Sequence, residues 1–130
     1  MSATPTPYDA LGGASALRAL VARFYELMDT QPEYHAIRAL HPADLSGSAE
    51  KLYCFLSGWL GGPPLYLRKH GQPFLRARHL PYAIGARERD QWLDCMHCAL
   101  RDQKVDADLR LALERAFAKT ADHLRNLAQG

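Results

Sequence analysis

No apolar run in this chain approaches the roughly 20 residues that a transmembrane helix needs, so no membrane span is expected. The opening residues, MSATPTPYDALGG, lack both a basic start and an apolar core, and a secretory signal is not expected either. Cysteines number only three; an odd count without an export signal points to free thiols in a reducing cytoplasm. A dominant charge sign is missing too. Lys and Arg total 16 against 14 Asp and Glu, a formal +2, which gives no global case for binding nucleic acid or a membrane surface. No segment alternates apolar and polar residues as a half-buried strand does, and no internal repeat stands out.

What is present is helical periodicity. With 130 residues, 48% hydrophobic and 23% charged, the chain suits one globular domain. A domain of that size buries roughly two-thirds of its unfolded surface. Thr-Pro-Thr-Pro makes residues 1 to 7 an expected disordered tail, with the domain running from 8 to 130. From Ser15 to Met28, the residues Leu17, Leu20, Val21, Phe24 and Met28 recur at helical spacing. Gly12-Gly13 must end any helix through Tyr8 and Leu11, and Pro32 ends the next, leaving an irregular stretch to Pro42. A further helix is expected over Ser46 to Leu60, with Leu52, Phe55, Leu56 and Trp59 on one face, before Gly61-Gly62-Pro63-Pro64 stops it. Residues 64 to 86 read as irregular. Two more helices close the chain: Arg87 to Asp102, with Trp92, Cys95, Met96 and Ala99 aligned, and Ala107 to Ala128, with Leu109, Leu113, Ala116, Phe117, Thr120, Leu124 and Leu127 aligned. The fold class is all-α, with one long irregular insertion.

Helical domains bind cofactors between facing helices, and an irregular segment can carry a ligand into that space. His79 sits in such a segment, RARHLPYAIG, and is either an axial iron ligand or a surface histidine bonded to a loop carbonyl. Tyr25 lies about 80° from the centre of its helix's apolar stripe, at about 100° per residue. Trp92 is central on its own stripe. The two are either hydroxyl and indole donors converging on a small electronegative ligand or core aromatics bonded to backbone carbonyls. Ser48, one turn before Leu52, is a pocket hydroxyl or a residue bonding its own helix start. Cys95-Met96-His97-Cys98 has C-x-x-C spacing but falls inside a helix, and Ala99 stands where covalent haem attachment needs histidine. Lys51, Arg68, Lys69, Arg76 and Arg78 flank the same regions, as clamps for carboxylates or as solvated surface.

Taken together, YDALGG at 8–13, RFYELM at 23–28, FLSGWLGGP at 55–63, LRARHLPYAI at 75–84 and ERDQWLDCMH at 88–97 resemble the truncated haemoglobins, specifically their second group. The resemblance spans nearly the whole chain and includes the paired glycines at 12–13 and 61–62. It implies a two-over-two helical sandwich around a non-covalent haem b. It makes His79 the proximal iron ligand, and Tyr25 and Trp92 the distal donors. Ser48 and Leu52 then line the distal wall, Phe55, Tyr66, Tyr82 and Met96 contact the porphyrin, and Lys51 and Arg78 face its propionates. One departure is His41, which stands before Pro42 where the family usually has Tyr or Phe. A histidine there can bond the ligand, point to solvent or respond to pH, and the expectation is that His41 replaces a distal hydrogen bond.

The resemblance implies reversible binding of oxygen, carbon monoxide, nitric oxide and similar diatomics. The enzymatic alternative is peroxide reduction or nitric oxide dioxygenation at the same haem, which needs a separate reductant because no flavin or nicotinamide domain is expected here. A third class is a haem-free helical domain using Cys95 and Cys98 for thiol redox or zinc.

Overall fold

The computed structural model describes residues 5–74, 79 and 82–124. The described residues form α1 (Pro7–Leu11), α2 (Gly13–Thr30), a 3-10 turn (Pro32–Tyr34), α3 (His35–Ala39), α4 (Ser46–Trp59), α5 (Leu65–His70), α6 (Ala86–Asp102) and α7 (Ala107–Leu124). Helix α2 packs against α4 on one side and α6 on the other, and α6 packs on α7. The result is a two-over-two helical sandwich, α2 with α4 and α6 with α7.

The long helices follow their apolar stripes. Leu17, Leu20, Val21, Phe24 and Met28 of α2 are all buried, as are Cys95, Met96 and Ala99 of α6. Helix α4 departs from the expected single face. Its fully covered side is Tyr53, Cys54, Leu56, Ser57 and Leu60, whereas Leu52, Phe55 and Trp59 are only half-buried. The reason is that α4 meets more than one neighbour: α2 takes one side, α5 another with Tyr66 edge-on to Phe55, and Trp59 reaches the other layer to stack on Phe117 of α7 at 4.9 Å. Along α7 only Leu113 and Phe117 are buried, and the expected extension to Ala128, with Leu127, lies outside the described residues.

Four short elements complete the described fold, three of them in stretches read as irregular. The fold takes in Thr6 and Pro7, residues assigned above to the tail: Pro7 opens α1, and the Thr6 hydroxyl caps it by accepting the Asp9 N–H at 3.1 Å. Gly12 ends α1 at φ 122, a conformation that favours glycine. Tyr8 then lies directly on Gly62, where any Cβ would meet its ring, and its N–H donates to the Leu60 carbonyl at 2.9 Å. Helix α3 and the preceding 3-10 turn occupy the stretch read as irregular between Pro32 and Pro42. Helix α5 forms within the 64–86 stretch, with Arg68, Lys69 and His70 in its last turn, where cations complement the helix dipole.

Candidate functional site

Helix α2 turns Tyr25 inward at the edge of its stripe, leaving 8% of it exposed. Its ring stands edge-on to Phe24, 4.9 Å between centroids, and edge-on to His41 at 5.8 Å. Phe24 also meets Trp92 of α6 at 5.2 Å, and Trp92 in turn meets Phe117 at 5.5 Å. One fully buried phenylalanine therefore joins the tyrosine and the tryptophan that the sequence singled out. Reading Phe24 as core was right about its burial and missed its bridging position; the only signal was its place next to Tyr25.

The Tyr25 hydroxyl donates to the Ser48 carbonyl at 3.4 Å, longer than a normal O–H···O bond. Burial, and secondarily the nearby Cys95 sulfur, push its phenol well above the ordinary tyrosine range. Tyr25 thus keeps its proton and remains a donor at any physiological pH. Its present partner on Ser48 is the backbone carbonyl. The Ser48 side chain is half-buried, and Leu52 follows one turn later, also half-buried.

His41 is half-buried beyond the end of α3, with Nδ1 2.9 Å from the Ile37 carbonyl. Burial pulls its imidazole below the usual histidine range, opposed by the Ile37 carbonyl and reinforced by the charges of Arg38 and His79. His79 is half-buried in a helical turn, and its carbonyl accepts the Tyr82 N–H at 3.0 Å. Phe55 meets Tyr66 edge-on at 6.3 Å, and Tyr66 continues to His70 at 4.8 Å. Tyr82 is 46% exposed, Lys51 is exposed, and Met96 is fully buried in the core. Arg76 and Arg78 lie outside the described residues.

The cysteines behave as packing groups. The Cys95 thiol donates to the Phe24 carbonyl at 3.2 Å, and burial pushes it up to about 12. The Tyr34 hydroxyl donates to the Asp94 carboxylate at 2.8 Å, and the Cys98 sulfur lies 3.4 Å from the same hydroxyl oxygen. All three cysteines are free, and no group of His, Cys, Asp and Glu among the described residues is arranged to hold a metal ion. No described helix is long and apolar enough to cross a membrane.

Sequence and structure comparisons agree with one another. The family described as bacterial-like globin matches residues 6–126. The group 2 truncated hemoglobin YjbI of Bacillus subtilis is 40% identical over 120 residues, covering 92% of this chain and 88% of that protein. Among solved structures, a group II 2-on-2 hemoglobin from Agrobacterium tumefaciens superposes with a TM-score of 0.93 at 50% identity, covering 96% of this chain and 97% of its own. The group II truncated hemoglobin from Bacillus anthracis gives 0.90 at 38% identity, covering 96% and 94%. With its two-over-two helical pairs and its Tyr25–Phe24–Trp92 cluster, the chain belongs to the bacterial-like globins and, within them, to the group II truncated haemoglobins.

Proposed function

We propose that this chain binds oxygen, carbon monoxide and nitric oxide reversibly at a non-covalent haem b in the cytoplasm, with His79 as the proximal iron ligand. The observation that carries this reading is the convergence of Tyr25 and Trp92 on Phe24, beside His41, in a chain of globin ancestry. The residues present fit the group. Leu52, Phe55, Trp59, Tyr66 and Trp92 are large apolar side chains that pack on the core yet stay only half-covered, which suits a flat apolar cofactor. His79 supplies an imidazole, and Lys51, together with Arg78 by its sequence position, supplies cations for carboxylates.

A bound haem, held by His79, would supply an iron that binds a diatomic ligand and shares electron density with it. The work of this chain is then done by donors. Tyr25, protonated throughout the physiological range, presents an O–H, and Trp92 presents an indole N–H that has no pKa to lose. A hydrogen bond to a charged acceptor contributes about 1.5–3 kcal/mol, so each donor slows release by about ten- to a hundredfold. Phe24 sets the spacing of the two rings, and Phe117 of the neighbouring α7 backs Trp92. Two donors therefore favour tight binding and slow release over bulk delivery.

The test is absorption spectroscopy of wild type and His79→Ala, ferric and ferrous, with and without oxygen and carbon monoxide. A Soret band that is lost or strongly altered in the variant is the expected result. A colourless wild type that fails to take up added hemin overturns the reading.

A further inference from the structure

Helix α3 has no capping side chain of its own. The first-turn N–H groups of a helix have no intrahelical acceptor and must be met from elsewhere when covered. Gln91 of α6 meets one of them: its Oε1 accepts the Ile37 N–H at 3.0 Å. The peptide group on the other side of Ile37 is engaged as well. Its carbonyl accepts the Leu40 N–H at 3.2 Å and lies 2.9 Å from His41 Nδ1. The Ile37 side chain is itself buried, so side chain, N–H and carbonyl are all held.

A carbonyl has no proton to give, so the His41 Nδ1 carries the hydrogen in this contact. In neutral imidazole that leaves Nε2 bare, an acceptor only. The ring so fixed stands edge-on to Tyr25. A neutral His41 in this form cannot donate to a bound ligand, which revises the expectation that it replaces a distal donor. Gln91 directly precedes Trp92 in the chain, so one turn of α6 carries both a distal donor and the hold on α3.

We propose that Gln91 is a positioning residue: by capping α3 at Ile37 it fixes the carbonyl that locks His41 in its Nδ1-protonated form and keeps Nε2 an acceptor. This rests on the reading of Tyr25, Trp92 and His41 as ligand-side residues. Glutamate at 91 retains the acceptor oxygen; methionine retains the length and loses it.

The experiment is long-range proton–nitrogen correlation NMR on histidine-labelled, haem-loaded protein in the diamagnetic ferrous carbon monoxide form. Wild type, Gln91→Glu and Gln91→Met are compared, with His41→Phe assigning the signal among the six histidines. Oxygen release is measured on the same samples. Wild type and Gln91→Glu are expected to show the Nδ1-protonated pattern at His41. Gln91→Met is expected to move it toward the Nε2-protonated form and, by turning that edge into a donor, to slow oxygen release roughly tenfold. A Gln91→Met protein with the Nδ1 pattern and the wild-type release rate overturns the proposal. A changed tautomer with an unchanged release rate upholds the role of Gln91 and overturns instead the placement of His41 beside the ligand. Should the methionine variant not accumulate, Gln91→Ala removes the same acceptor and is read in the same way.

Discussion

Removing one oxygen atom from Tyr25 separates its ligand role from its packing role. In Tyr25→Phe the ring keeps its edge contacts with Phe24 and His41, at 4.9 and 5.8 Å. The lost hydroxyl has one protein partner, the Ser48 carbonyl at 3.4 Å, beyond the usual O–H···O range of about 2.5–3.0 Å. Such a bond contributes at the low end of the ordinary range, about 0.5 kcal/mol. For a domain of this size that is a change in Tm of about 2 °C. The ligand side is different in scale. A donor to a charged acceptor is worth about 1.5–3 kcal/mol, so oxygen release should accelerate by about ten- to a hundredfold. Stopped-flow replacement of oxygen by carbon monoxide reads the release rate, and a thermal melt on the same preparation reads stability. A variant that melts like wild type and releases oxygen at the wild-type rate would refute Tyr25 as a donor. A Tm fall of about 8 °C or more would instead make the phenol a structural group.

Trp92→Phe keeps an aromatic between Phe24 and Phe117 and removes the indole N–H along with one of the two fused rings; release should again rise by about tenfold or more, measured in the same stopped-flow assay. Cys95 and Cys54 are buried, and burial pushes both thiols up, Cys95 to about 12. Iodoacetamide near neutral pH should therefore leave both unmodified in the folded protein, and intact mass should show full labelling of all three cysteines only after denaturation. Glu88 caps α6 by accepting the Gly85 N–H at 2.8 Å, and this bond first, then Arg87, holds its carboxyl below the usual glutamate range against the effect of burial. Its stabilisation is therefore complete above the ordinary glutamate pKa and is lost as pH falls through the lower folded value. Urea unfolding near neutral pH should show Glu88→Ala less stable by about 1 kcal/mol, with the gap closing in acid. Gly62→Ala places a Cβ against the Tyr8 ring and should destabilise by about 1–3 kcal/mol in the same measurement.

The amino-acid sequence alone determined the long helices and the family. Helices of 14 to 18 residues such as α2, α4, α6 and α7 repeat their apolar stripe several times, so Leu17 through Met28 and Cys95 through Ala99 announce their buried faces locally. The motifs around Tyr25, His79 and Trp92 carried the relationship to the group II truncated haemoglobins. The tertiary structure decided what no single segment encodes. A five-residue helix such as α3 shows barely one turn of periodicity, and its bonds come from Gln91, 54 positions away from Ile37. The two apolar sides of α4 arise because α2, α5 and Phe117 approach it from different directions. The bridging place of Phe24 between Tyr25 and Trp92, and the contact of His41 Nδ1 with the Ile37 carbonyl that Gln91 helps to hold, exist only once α2, α3 and α6 are packed together. Local patterning dictates which residues turn inward, but a hydrogen bond or a ring contact between distant residues depends on where the other helix lies.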